Sequence, residues 1–326
     1  MSSSRLSFVI PVRNDAARLR RCLDSIVHSK GGREIEMIVV DNGSEDDSAE
    51  VGRRFAAQVI CLPGVNVSTL RNAGVARATG SLIAFVDADH EIGPGWIDAA
   101  LGRLDDTDIS AIGAPCHPPA QATWVQRMYD RLRVHSTEPR DTSWLGSGNL
   151  VVRREVFEAV GGFNGTLEAC EDVDLCFRLR RAGYRLVDDP ALMSAHAGDP
   201  ETLRALVASE MWRSRNNMRV TLRSGTSWRS LVSLAIPVVN LAAIVAFVFG
   251  SVRGALPIVV LAAGTTIALA LIYVFVMLRR GRSNARMAVQ AFAVAWAYNL
   301  ARALALVWPA RHRHRRVPGS VAVPGQ

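Results

Sequence analysis

The sequence predicts an α/β protein, a mainly parallel sheet interleaved with helices and followed by apolar C-terminal helices. Three observations predict it. Short apolar runs of strand length alternate with helical periodicities as far as Trp96. Polar residues, several of them acidic, fall where those strands should end. The apolar residues concentrate after about residue 230. Alternating strands and helices imply right-handed βαβ units, and ligands on such sheets bind beyond the carboxyl ends of the strands.

Leu6 to Ile10 reads as a buried strand stopped by Pro11, too short an apolar run to be a leader peptide. Asn14 and Asp15 then cap a helix from Ala16 to His28, with Leu19, Leu23 and Ile26 at helical spacing. Ile35 to Val40 is a second strand, and the turn DNGS from Asp41 leads into a helix from about Glu45 to Ala57. Val59 to Leu62 is a third strand, and Ser68 to Ala78 a helix closed by Gly80. Leu82 to Val86 is a β-branched, fully apolar run expected of a buried parallel strand. Further on, the pattern predicts helices over Gln121 to His135 and Val173 to Ala182, with a linker-like segment around Pro115 to Pro119.

Composition narrows the function. The 326 residues carry a net charge of +8, and Lys30 is the only lysine, so the charge is arginine. The basic residues lie on helices and beside apolar segments, without the aromatic interleaving of a nucleic-acid surface. They fit phosphates and anionic lipid, and no nucleic-acid partner is expected. Mean hydropathy is +0.14, high for a wholly soluble chain. Five scattered cysteines without a Cys-x-x-Cys pair suggest ordinary packing in a reducing compartment.

The chemistry concentrates after the fourth strand, where Asp87 and Asp89 arrive in VDADHE. Residues two apart on extended chain share a face. Two carboxylates held together repel unless a cation sits nearby, and a hard divalent ion such as Mg²⁺ or Mn²⁺ bridging them to a diphosphate resolves that. An isolated Asp-x-Asp is more often a turn and a solvated acid; convergence with Asn14 and Asp41 at the strand ends argues otherwise.

Four stretches, FVIPVRNDAARLRRCLDSI, IVVDNGSEDDS, RNAGVARATGSLIAFVDADHEI and GGFNGTLEACEDVDLCFRLRRAGYR, resemble the successive motifs of family 2 glycosyltransferases, in order and at the right spacing. The resemblance covers roughly residues 5 to 200. It implies a GT-A fold, a Rossmann-like nucleotide-sugar domain with a mainly parallel sheet. It further implies that Pro11, Asn14 and Asp41 surround the base and ribose, that Arg71 lies near base and phosphates, and that Asp87 contacts ribose or metal. Asp89 is then the metal ligand. In relatives the small-residue loop at Gly148 and Asn149 closes on donor sugar or acceptor. Glu171-Asp172 matches the pair marking the base of inverting members, with Asp172 as the base and Asp174 as the nearby runner-up. His196 falls where relatives carry a His near diphosphate or metal, whereas His90 is read as lying outside the ligand set. The Gln-x-x-Arg-Trp motif of processive synthases is missing, the corresponding helix reading EMWRSRNNMRV, so transfer of a single sugar is expected.

Leu231 to Gly250 and Ala255 to Leu278 lack charge and are each long enough to cross a hydrocarbon core of ~30 Å. Arginines at 279, 280 and 282 should stay cytoplasmic, leaving the N-terminal domain cytoplasmic on a multi-pass cytoplasmic-membrane protein. A third stretch, Met287 to Trp308, interrupted by Gln290, Asn299 and Arg302, is read as interfacial or re-entrant with the basic tail inside. The expected organisation is a nucleotide-sugar domain over 1–226, a membrane region over 227–308 and a basic tail over 309–326. The function so implied is metal-dependent transfer of one sugar from a nucleotide-diphosphate donor to a membrane-associated acceptor, a glycan or lipid-linked precursor. Its rival is a non-catalytic sugar-nucleotide-binding subunit of a membrane assembly, which needs Asp41 and Asp87 but not Asp172.

Overall fold

The computed structural model describes residues 6–214, 220, 228–279 and 284–307. Strands β1 (Leu6–Val12), β2 (Ile35–Asp41), β3 (Gln58–Cys61) and β4 (Leu82–Val86) alternate with helices α1 (Ala16–Ser29), α2 (Ser48–Arg54) and α3 (Val67–Val75). Next come β5 (His90–Ile92), α4 (Trp96–Leu104), β6 (Ile109–Gly113), α5 (Trp124–Asp130), β7 (Arg140–Asp141), β8 (Asn149–Arg153) and α6 (Arg154–Ala159). The globular part closes with α7 (Glu171–Arg181), β9 (Arg185–Asp188), β10 (Ser194–His196) and α8 (Leu203–Arg213). Eight strands form one sheet in the order β3-β2-β1-β4-β8-β6-β9-β7, and β5 pairs with β10 in a small antiparallel ribbon.

The first four strands are parallel, as the alternation predicts. Beyond β4 the sheet is mixed, because β8 runs antiparallel to both β4 and β6. Strand order reverses direction around β1, which has β2 on one side and β4 on the other. The ends of β1, β2 and β4 therefore open on one crevice, the usual ligand position of such sheets. Both faces are covered. Phe8 and Ile10 pack with Leu19, Leu23 and Ile26 of α1, while Val9 and Phe85 pack with Leu70 of α3, Phe157 of α6 and Leu175 of α7. Burying each such side chain contributes about 1.5–3 kcal/mol.

Three local readings are corrected. β1 does not stop at Pro11 but continues to Val12, because pairing with β4 ends at Val9 and the missing N–H of Pro11 breaks no ladder there. Asp15 precedes α1 without a side-chain capping bond; Asn14 instead adopts a left-handed backbone, φ +52°. The helix expected over Gln121 to His135 shrinks to α5, whose start is fixed by a capping box between Thr123 and Gln126.

Helices α9 (Trp228–Arg253) and α10 (Leu256–Leu278) are long and apolar enough to cross a membrane, with qualifying stretches of 20 and 23 residues. Val245, Val248, Phe249, Leu261 and Phe275 point outward, an apolar surface a soluble protein would cover. Helix α11 (Ala285–Ala305) differs. Its small residues Ala291, Val294 and Ala295 bury against Met128 and Tyr129 of α5, Leu206 of α8 and Met277 of α10. It is one uninterrupted helix over the described part of that stretch. The basic tail, and the arginines expected at 280 and 282, lie outside the described residues.

Candidate active site

The site is assembled from loops at the carboxyl ends of β1, β2 and β4, closed by the β8 and α7 segments. Asp41 ends β2 and is buried. Its Oδ1 accepts from the backbone N–H of Ser44 at 2.9 Å and from the Ser44 hydroxyl at 2.5 Å. Asn14 ties the neighbouring loop to this turn, its N–H donating to Ser44 Oγ at 2.9 Å and its Oδ1 accepting from Glu45 N–H at 2.7 Å. Pro11 lies buried in β1, paired in register with Val40. The first two motifs thus form one connected rim.

Asp87 and Asp89 follow β4, and ligand atoms of Asp87, Asp89 and His90 lie within 4.8 Å of one another. His90 is buried, not peripheral as the sequence suggested, and Ser194 Oγ lies 3.1 Å from its Nδ1. Burial, and then the charge of His196, push its imidazole down to about 4, so it is neutral near pH 7. Gly148 makes this approach possible. A Cβ there would stand 2.7 Å from Asp87 Oδ2 and 3.0 Å from His90 Nε2. Gly198 does the same for Asp89, whose Oδ2 would meet an added Cβ at 1.8 Å. Two carboxylates and a neutral imidazole around a cradle that a methyl group would fill suit a hard divalent cation.

His196, expected as a metal ligand, stands with His90 and Cys116 in a group whose ligand atoms lie within 4.8 Å of one another, and it is also held between two acids. Its Nε2 lies 3.2 Å from Asp89 Oδ2 and its Nδ1 2.9 Å from Asp199 Oδ1, so both ring nitrogens are engaged. Burial opposes its charge, but the bonds to Asp199 and Asp89 outweigh burial and raise it well above an ordinary histidine. Burial would likewise raise Asp89, yet His196 holds it well below the usual carboxylate range. Asp199, fully buried, is gripped at both oxygens by Arg133 at 2.6 Å.

Arg71 joins the two halves of the site. It is buried; one amino group donates to Asp87 Oδ1 at 2.6 Å and the other to Glu171 Oε1 at 2.8 Å. Its guanidinium also lies over the Phe163 ring, 5.4 Å from the centroid. The sequence placed Arg71 against base and phosphates; here its fork holds two acids, Asp87 and Glu171, the second one hundred residues from it in sequence. Glu171 accepts further from Ser147 Oγ at 3.0 Å, so it is a strut of the site with its Oε1 committed.

Asp172 is the next residue, in the first turn of α7. Burial, and then the adjacent Glu171 charge, push its carboxyl up to about 7, against the opposing pull of Val173 N–H, Arg71 and the Trp144 indole. The Val173 N–H donates to its Oδ1 at 2.8 Å. Asp174, the runner-up base, is tied to Arg178 at 2.8 Å. Asn149 is bonded on three sides within the protein. Its amide donates to Ala114 O at 3.1 Å and Leu192 O at 2.7 Å, and its oxygen accepts from the Trp96 indole at 3.0 Å. Both amide hydrogens and the oxygen of this buried side chain have protein partners, so Asn149 helps to build the wall of the loop. The sequence singled out the loop from Trp144 to Asn149 but not the parts played by the Trp144 and Ser147 side chains, and it did not single out Asp199, whose one trace is its spacing of three from His196.

Comparison with known proteins agrees with this geometry. Residues 7–161 match the family model described as glycosyl transferase family 2. A pre-mycofactocin glycosyltransferase of Mycobacterium tuberculosis is 33% identical over 205 residues, 59% of this chain and 42% of that protein. The glycosyltransferase AglE of Haloferax volcanii is 26% identical over 241 residues, 71% of this chain and 79% of that one. The chain thus spans about two fifths of the length of the first of these relatives. Among solved structures, the mannosyltransferase PcManGT from Pyrobaculum calidifontis, in complex with GDP-Man and Mn²⁺, superposes with a TM-score of 0.68 at 20% identity, covering 94% of this chain and 88% of that one.

Proposed function

We propose, from the premise that residues 7–161 form a glycosyl transferase family 2 domain on a GT-A fold, that the chain transfers one sugar from a nucleoside-diphosphate sugar to an acceptor hydroxyl at a membrane. The observation that carries this is the Arg71 fork, which draws Asp87 and Glu171 into a single cleft and so sets the Asp-x-Asp beside Asp172. That PcManGT was solved with GDP-Man and Mn²⁺ supports the same donor class and cation.

Asp41, with Oδ2 not taken up by Ser44, receives the base or ribose, assisted by the rim of Pro11 and Asn14. Asp87 and Asp89 would hold the divalent cation, with His90 as the available imidazole; His196 keeps Asp89 ionised and in place. When bound, the cation neutralises charge on the departing diphosphate. Asp172 takes the proton from the acceptor hydroxyl as that oxygen bonds to the anomeric carbon and the diphosphate leaves from the opposite face, inverting the configuration. A base near 7 suits that task at neutral pH. Arg71 and Glu171 position the two acids without reacting.

Residues 1–226 act as the catalytic part, 227–308 as the membrane part and 309–326 as a basic tail. The outward apolar faces of α9 and α10 favour an acceptor held in or on lipid, and the arginines at 279, 280 and 282 after α10 favour the catalytic part on the cytoplasmic side. The deciding experiment screens nucleotide sugars against the full chain in detergent, with and without Mn²⁺, following melting point and transfer to lipid-linked and soluble acceptors. One donor should raise the melting point only with metal and support transfer. Metal-independent binding of every nucleotide alike would argue against the reading.

A further inference from the structure

An open groove of about 510 Å³ runs beside α5, lined by residues other than those of the donor cleft. Its volume falls within the roughly 300–1,000 Å³ of clefts that hold small ligands. Arg127 lies on α5, and Arg131 and Arg133 follow in the chain leaving that helix. The lining carries one carboxylate, Asp130, which lies 3.0 Å from His135 Nε2 and 3.5 Å from Arg133. Behind the wall, Asp199 takes both amino groups of Arg133 at 2.6 Å. Three guanidinium groups against these two acids leave the groove positively charged before His135 is counted. Arg127 is exposed and donates to the Ala122 carbonyl, a neutral acceptor that leaves its charge in place. An anion suits such a lining, and the planar fork of a guanidinium matches phosphate oxygens in particular.

The groove also sits where the globular part meets the apolar helices. Val125, Met128 and Tyr129 of α5 pack in one cluster with Ala270, Val274 and Met277 of α10. Arg131 Nη1 donates to the Met277 carbonyl at 3.2 Å, in the last turn of α10. The end of a helix that crosses a bilayer lies at the level of the lipid headgroups. Arginines at 279, 280 and 282 follow that end in the sequence, and a basic surface at this level attracts anionic lipid. Pro118 and the exposed Val134 give the groove an apolar edge, suited to the glycerol and first acyl carbons beside a headgroup phosphate.

We propose that this groove binds the phosphate group of an anionic membrane lipid. Arg127 and Arg131 meet the phosphate oxygens, and Arg133, anchored by Asp199, forms the fixed wall. Lipid held there fastens α5 to the end of α10 and so sets the globular part against the membrane surface. The site stands independently of the transfer reaction and requires only that α10 cross the bilayer.

The test is the melting point of the full chain in a neutral detergent, titrated with short-chain phosphatidylglycerol, with phosphatidylcholine of the same chain length, and with inorganic phosphate. Phosphatidylglycerol should raise the melting point at concentrations where the other two do not. Arg127→Gln should weaken the apparent Kd for phosphatidylglycerol at least about tenfold. Because Arg127 is exposed, this variant should melt as the parent does without lipid. Arg53→Gln, at an exposed arginine of α2, should leave the lipid affinity unchanged. Unchanged affinity in Arg127→Gln would overturn the proposal, and so would an equal loss in Arg53→Gln, which marks diffuse attraction. Equal stabilisation by phosphatidylcholine would remove the preference for anionic lipid. Inorganic phosphate binding as tightly as phosphatidylglycerol would place a soluble phosphate in the groove and overturn the lipid assignment.

Discussion

Asp172→Asn separates the two consequences of burying a carboxyl beside Glu171. The wild-type group titrates at about 7 in the folded chain against 3.8 ordinarily. A carboxyl raised in the folded state favours the protonated form there, so its contribution to stability is full below about pH 4 and is lost as pH rises through 7. At ~1.4 kcal/mol per tenfold change in proton affinity, the ionised form carries a ceiling of about 4 kcal/mol of cost above pH 8. Asparagine keeps the shape and cannot ionise. The variant should therefore gain on wild type as pH rises, the gap in unfolding free energy widening by up to about 3 kcal/mol between pH 5 and pH 8. The assay is denaturant or thermal unfolding across that range, paired with transfer kinetics. Wild-type kcat/KM should fall as pH drops below 7, and the variant should lose about 10²–10⁴-fold in kcat with donor affinity unchanged. A variant that still transfers sugar at the wild-type rate removes Asp172 as the base. A gap that does not change with pH would refute the electrostatic reasoning.

Further outcomes follow from the same contacts. Gly198→Ala puts a Cβ where Asp89 Oδ2 now stands; calorimetry with donor and Mn²⁺ should show at least about a tenfold weaker Kd, and equal affinity would remove Asp89 from the metal set. Arg71→Met leaves two acids without their shared cation and should cost about 3–5 kcal/mol in unfolding experiments, with Glu171→Gln recovering part of it in the double variant. The apolar faces of α9 and α10 should keep the full chain in the membrane fraction through alkaline extraction; release into the supernatant would show that those faces are covered by protein instead.

The legible half of the fold is the half with strong periods. β1 to β4 are apolar runs separated by amphipathic helices, and their end residues Asp41 and Asp87 could be placed before any coordinates. In the mixed half β7 has only two residues, and β8, as long as β4, runs antiparallel to both its neighbours, a direction that an apolar run does not encode, so that half of the sheet was not read. Glu171 and Asp172 stood out by pattern, but that Arg71 would clasp Glu171 follows only from tertiary packing, since nothing local links them. The partners of Asn149 were equally hidden. Its small-residue loop resembled a ligand loop, and its amide is spent on Trp96, Ala114 and Leu192, partners that no local pattern reveals. His90 was set aside because the sequence could not show that Gly148 lets it close on Asp87.

The central claim is that the Asp-x-Asp and Asp172 address one donor from the two sides of a shared cleft. A structure of the full chain with its nucleotide sugar and Mn²⁺ tests it most directly. The account predicts anomalous density for manganese against Asp87 and Asp89, with the anomeric carbon facing Asp172. Manganese elsewhere, or a sugar turned away from Asp172 with another acid at its reacting face, would contradict it.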